Sequence, residues 1–275
     1  MISVWRNTKY FNNIPEVERM VILQSLIIAL SMYSKIPLPQ VPWTEENTRH
    51  VMCFFPVVGI ITGGCVWSAG TFLLRNDWGT LLFVAVMTLL PIMISGGIHM
   101  DGLLDTIDAL SSYGDRERKL EILKDSHAGA FAVIGACCYF TACLGLWSEV
   151  TEEMLPIIAC GYVLSRGLSG FAVLTFPSAS DKGLARTFKE GTRRLHAAAL
   201  LIFFVLFPAA VMLTAAPRFG GMAVAGAAGV FLYYRVMSLR KFGGVTGDLA
   251  GYFLQLCELA VLGCVVMGGY LWRSC

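Results

Sequence analysis

The sequence predicts an all-α fold, a polytopic helical bundle embedded in a membrane, and three observations point there. Hydrophobic residues make up 56% of the 275-residue chain and charged residues only 15%, against roughly 25% charged in a soluble domain. Mean hydropathy is +0.66. Apolar runs recur from end to end with no Ser-, Pro- or Gln-rich linker between them, so residues 1–275 read as a single integral membrane domain with the lipid bilayer as partner. The net charge of +2 is too small to imply nucleic acid, and the charges sit between the apolar runs, where they bias orientation.

The elements follow from apolar length, since a span needs about 20 residues at 1.5 Å rise. The first 19 residues mix Arg6, Lys9, Glu16 and Arg19 with Asn12 and Asn13 and have no apolar core, so no cleaved leader is expected. Residues 20–36 carry Gln24 and Lys35 and stop at Pro37-Leu38-Pro39, which leaves a full crossing, a re-entrant segment and an interfacial helix all open. About seven transmembrane helices follow, at 51–74, 79–98, 128–148, 154–177, 196–214, 219–237 and 247–272. All of the nine cysteines except Cys275 fall inside these runs without C-x-x-C spacing and are read as small packing residues. Small residues in 220–226 permit close packing within a chain or in a homo-oligomer, and the two stay open.

The loops alternate in character. Those at 44–50, 111–127, 178–196 and 235–248 are long or bear Lys and Arg, whereas 75–77, 149–153 and 215–218 are short or acidic. The positive-inside rule puts the first set in the cytoplasm. That set also holds most of the side chains capable of chemistry, so the working face is expected to be cytoplasmic. The C-terminus then falls outside, and the side of the N-terminus depends on whether 20–36 crosses.

The most informative stretch is Gly96-Gly97-Ile98-His99-Met100-Asp101-Gly102-Leu103-Leu104-Asp105-Thr106-Ile107-Asp108. Continued as a helix, it places Asp101, Asp105 and Asp108 at i, i+4 and i+7, within about 60° of one face. Carboxylates about 6 Å apart repel by roughly 3 kcal/mol at an effective dielectric near 20, so protons or a metal should sit among them. Oxygen-only donors favour Mg²⁺ or Mn²⁺ over zinc. The axial spacing suits two ions, or one with water-bridged ligands, better than one ion held directly by all three. The plainer alternative is a solvated helix face balanced by Arg116, Arg118 and Lys119. Leu103, Leu104 and Ile107 on the other faces, with Gly96, Gly97 and Gly102 allowing close approach, weigh against it.

Other polar residues are less specific. Arg116 and Lys124 could clamp phosphate, though the charge ladder around Glu117 and Glu121 also suits ordinary surface pairing. Arg166 lies in mid-run, where it needs a partner or an aqueous cavity; a structural ion pair and an anion ligand are both open. Gly243-Gly244-Val245-Thr246-Gly247-Asp248 precedes the last span. There Gly244 and Gly247 could offer backbone N–H groups to phosphate, or could simply allow tight packing. Asp248, with Glu258 ten residues on, favours a site. His99 abuts the acidic stripe as a base or a hydrogen-bonding neighbour, while His50 and His196 read as interfacial.

These motifs, with Lys124-Asp125-Ser126 before Gly129-Ala130-Phe131, Phe54-Phe55-Pro56-Val57-Val58-Gly59 and Ser165-Arg166, resemble the cobalamin synthase family, the adenosylcobinamide-GDP ribazoletransferases. The resemblance covers most of the chain. It implies a Mg²⁺-dependent enzyme of the bacterial cytoplasmic (inner) membrane that joins adenosylcobinamide-GDP to α-ribazole or its 5′-phosphate and releases GMP. Asp101, Asp105 and Asp108 would then hold Mg²⁺, Arg166 with Lys124 or Arg116 would balance phosphate charge, and Asp125 or Asp248 would accept the proton of the attacking hydroxyl. Asp125-Ser126-His127 departs from the commoner Asp-Ser-Arg pattern, which puts any role of position 127 in doubt. A CDP-alcohol phosphotransferase is the alternative, but its D-G-x-x-A-R motif is not matched after Asp101-Gly102. A cation-coupled transporter would want its carboxylates near the midplane.

Overall fold

The computed structural model describes residues 16–125, 127–179 and 194–273. The basic part of the 178–196 loop, Ser126 and the chain before residue 16 lie outside the described residues. In chain order the helices are α1 (Glu16–Tyr33), α2 (Glu45–Thr48), α3 (Val51–Arg75), α4 (Thr80–Ser95), α5 (Ile98–Ser111), α6 (Arg116–Ile122), α7 (Ala130–Trp147), α8 (Leu155–Thr175), α9 (Arg194–Ala215), α10 (Pro217–Met237) and α11 (Gly247–Arg273). A 3₁₀ turn (Glu152–Met154) precedes α8 and a π-helical turn (Ser238–Phe242) follows α10. The chain is a polytopic helical membrane protein. Among the described residues six helices are long and apolar enough to cross a membrane, and α4 with α5 makes a seventh if the bent pair counts as one span.

That pair corrects the expectation of a straight span over 79–98 running on into the acidic segment. Residues 80–95 are helical, but Gly96 and Gly97 take φ of 65° and 82°, a left-handed conformation that glycine adopts without a Cβ penalty. The chain turns by 95°. Helix α4, at 16 residues, is about 24 Å long, short of the roughly 30 Å hydrocarbon core. Helix α5 lies across the end of the bundle, against α11 and α7.

The chain sorts its connections between two ends. At one end Arg75 Nη2 meets Glu152 Oε1 at 2.6 Å, tying the α3–α4 connection to the turn before α8, and the Tyr270 hydroxyl donates to Glu149. At the other end Ser178 and Val245 form a parallel backbone bridge, with Val245 N–H donating to Pro177 O at 2.8 Å and Ala179 N–H to Val245 O at 3.0 Å. Among the described residues, the connections at 75–77 and 149–153 thus lie at one end and those at 178–179 and 243–246 at the other. From Ser25 on, α1 packs at the second end: Ser25 Oγ donates to Asn47 O at 2.7 Å, Tyr33 packs on Phe55 with ring centroids 4.4 Å apart, and Lys35 N–H donates to Ile94 O at 2.8 Å. Of the three readings open for residues 20–36, these contacts support a helix that caps the bundle end and oppose one that traverses it.

Candidate active site

The site forms where α5 crosses the start of α11. Gly102 and Gly251 make the crossing close: a Cβ at 102 would stand 2.5 Å from Asp248 O, and one at 251 would stand 3.2 Å from His99 Cα. Thr246 caps α11, its Oγ1 accepting from Leu249 N–H at 3.2 Å. The crossing sets Asp248 beside the acidic face of α5 and brings together residues separated by more than half the chain.

Helix α5 does carry Asp101, Asp105 and Asp108 in the expected register. Asp108 also holds the fold together, because its carboxylate accepts from Gly129 N–H at 2.5 Å and Ala132 N–H at 2.9 Å and so caps the first turn of α7 from another helix. Gly129 leaves room for it, since a Cβ there would be 2.7 Å from Asp108 Oδ2. Asp105 sits at the middle of the group. Burial, then the charges of Asp101, Asp248 and Asp108, push its carboxyl up to about 6. A cluster of oxygen donors that raises its own member in this way is short of positive charge, and a hard divalent cation fits that chemistry. Among the described residues no three of His, Cys, Asp and Glu converge on one point as the side chains stand, so direct binding of one ion by all three aspartates does not match this arrangement.

The remaining predicted residues separate into those near the crossing and those elsewhere. Gly247 lines a cavity together with Asp248, Asp101 and His99, and no side or main chain occupies the space a Cβ at 247 would take. Gly244 does not cradle a ligand. A Cβ there would be 2.4 Å from Pro177 O and 2.6 Å from Ala179 N, so glycine is required for the backbone bridge. The exposed Arg116 lays its guanidinium on Gly243, 2.1 Å from where a Cβ would be, beside the turn into α11. Lys124 is exposed. Asp125 is engaged locally, accepting from His127 N–H at 3.0 Å and pairing with Nδ1 at 2.8 Å, and these hydrogen bonds hold its carboxyl below the usual range.

Arg166 resolves toward the ion pair. It is 1% exposed, its Nη1 lies 2.6 Å from Glu258 Oε1, and it also donates to Tyr162 O at 3.1 Å. Its Nη1 thus has a carboxylate partner on α11, inside the bundle, while its Nε has no hydrogen-bond partner among the described residues. Lys119 departs from its expected charge-balancing part. It is buried, and its Nζ donates to Ala109 O at 3.0 Å and to Ser112 Oγ at 3.1 Å, satisfying carbonyl and hydroxyl oxygens at the C-terminus of α5. His99 is buried between Tyr33 and Phe55, at 6.1 and 6.0 Å. Its Nε2 is buried with no hydrogen-bond partner among the described residues. The sequence reading missed Tyr33 and Ser169, which border the same cavity; Ser169, a polar residue one turn beyond Arg166 within an apolar run, was the one available signal.

The model of the family described as cobalamin-5-phosphate synthase matches residues 25–266, which takes in every residue of this crossing. The chain belongs to that family. Among its relatives, the adenosylcobinamide-GDP ribazoletransferase of Lachnoclostridium phytofermentans is 42% identical over 90% of this chain and 96% of its own. A protein of the same name from Desulfitobacterium hafniense is 34% identical over 87% and 95%, and one from Clostridium perfringens strain SM101 is 30% identical over 86% and 94%. No solved structure matches. Cobalamin-5-phosphate synthase membership places the chain in cobalamin biosynthesis as a transferase, in agreement with the resemblance carried by its acidic motif.

Proposed function

We propose that the chain joins adenosylcobinamide-GDP to α-ribazole or its 5′-phosphate, at the cytoplasmic face of a bacterial inner membrane, with Mg²⁺ at the α5 carboxylates. The observation that carries this reading is the set of four aspartates drawn together from two stretches of chain at least 140 residues apart, Asp101, Asp105 and Asp108 on α5 and Asp248 on α11. Its position at the end of the bundle suits a water-soluble nucleotide and is unlike a midplane transport site.

In the reaction a ribose hydroxyl oxygen forms a bond to the phosphorus nearer the corrinoid, the bond from that phosphorus to the bridging oxygen breaks, and GMP leaves with the electron pair. Mg²⁺ when bound supplies neutralising charge to the pyrophosphate and to departing GMP. Asp248 borders the cavity and takes the hydroxyl proton, whereas Asp125 is held by His127. Asp108, fixed by two N–H groups of α7, sets the orientation of the acidic face. Arg116, exposed beside the turn into α11, adds positive charge where phosphate arrives. Asp105 is the central carboxylate, and Asp105→Asn should lower GMP release by about 10²-fold or more. The test is GMP release by purified, detergent-solubilised protein given both substrates, with and without Mg²⁺. Release that persists undiminished in EDTA, or in a folded Asp105→Asn protein, would sink the reading.

A further inference from the structure

A cavity of about 150 Å³ opens beside Asp101 and Asp248, bordered by Tyr33 of α1, Met52 and Phe55 of α3, His99 of α5, and Ser169 and Val173 of α8. Its α11 wall runs from Gly247 to Leu254, about 10 Å at 1.5 Å per residue. Carboxylates stand at one end and the walls are aromatic or apolar. Two polar atoms break that pattern. His99 Nε2 and Ser169 Oγ are buried, on side chains 4% and 1% exposed, and have no hydrogen-bond partner among the described residues. A buried orphan of this kind is costly, so two of them on one cavity call for a ligand carrying complementary polar atoms.

We infer that the cavity receives the flat heteroaromatic base of the ribazole, packed among Tyr33, Phe55 and His99, with the free ring nitrogen of the base accepting from His99 Nε2–H. This rests on the proposed function and names the subsite for one of its two substrates. A ribazole base is joined to ribose through one ring nitrogen and leaves the other as an acceptor, which a ring N–H can meet. A cavity of about 150 Å³ in another protein accommodates benzene, so the volume suits an aromatic ring system whose ribose emerges at the open end. There the ribose hydroxyls lie beside Asp101 and Asp248, where the proton must leave. Ser169 Oγ–H completes the polar set.

The test uses the full chain in nanodiscs and two readouts, turnover and direct binding of α-ribazole by calorimetry. Ser169→Leu and Val173→Phe each fill the cavity and should raise KM for α-ribazole by about tenfold or more while KM for adenosylcobinamide-GDP stays within about twofold, which also reports a folded site. His99→Phe keeps the ring and removes the donor. It should erase the wild-type preference for α-ribazole over the α-indole riboside, which has CH in place of the free nitrogen. If the wild type turns over but the filling variants leave α-ribazole KM unchanged, or raise KM for both substrates alike, the inference falls and the function stands. If the wild type binds α-ribazole without turnover and Ser169→Leu abolishes binding, the function falls and the subsite stands. Neither turnover nor binding by the wild type overturns both.

Discussion

Arg166 and Glu258 carry opposite charges in a position where each requires the other. Their 2.6 Å contact has one partner 1% and the other 8% exposed, and Ser165 Oγ adds a hydrogen bond to the same carboxylate oxygen at 3.2 Å. Removing one member of such a pair leaves a buried charge and costs about 3–5 kcal/mol, whereas replacing both with apolar groups is often close to neutral. Glu258→Ala should therefore lower the unfolding midpoint in detergent sharply, and Arg166→Met with Glu258→Met should recover most of the loss. A single Glu258→Ala variant as stable as the parent would show that the pair is not what holds α8 to α11. The sequence made the need for a partner legible, because a cation in mid-run must be paired, but it left the partner's identity open. Their separation of 92 residues is bridged only when the helices pack, and neither spacing nor periodicity reports that.

Helix α5 is legible from sequence in its register and illegible in its direction. Three aspartates at helical spacing on one face follow from 3.6 residues per turn, and the structure keeps them there. The turn at Gly96-Gly97 does have a signal, two glycines at the end of an apolar run, which is the pattern of a left-handed helix stop; the same pair equally suits close approach of a ligand, the reading made from sequence. Gly102 does have the close-approach role expected of it, against Asp248 O. Adding a methyl group there forces α5 and α11 apart at the point where Asp248 joins the other carboxylates. Gly102→Ala is expected to reduce GMP release by about tenfold or more, since misplacement of about 1 Å at such a site is costly, with the helices still formed by circular dichroism. Unchanged turnover in Gly102→Ala would mean that the α5–α11 spacing does not matter to the chemistry.

At the scale of the molecule, the charge difference between loops read from composition matches the division between the two bundle ends among the described residues, since both follow from where Lys and Arg can remain in water. Orientation can be tested by labelling: a membrane-impermeant maleimide should reach Lys124→Cys only in inside-out vesicles and Glu153→Cys only in right-side-out ones, and the reverse pattern would invert the assignment. The cap formed by α1 is ambiguous in the sequence because Gln24 and Lys35 suit both a crossing and a surface helix. The crossing of α5 with α11 also has a consequence for biogenesis. The acidic helix is synthesised well before Asp248 leaves the ribosome, so a chain stalled before α11 carries the acidic face of α5 without its fourth carboxylate or the α11 wall of the cavity. The crossing is completed only with insertion of the final helix.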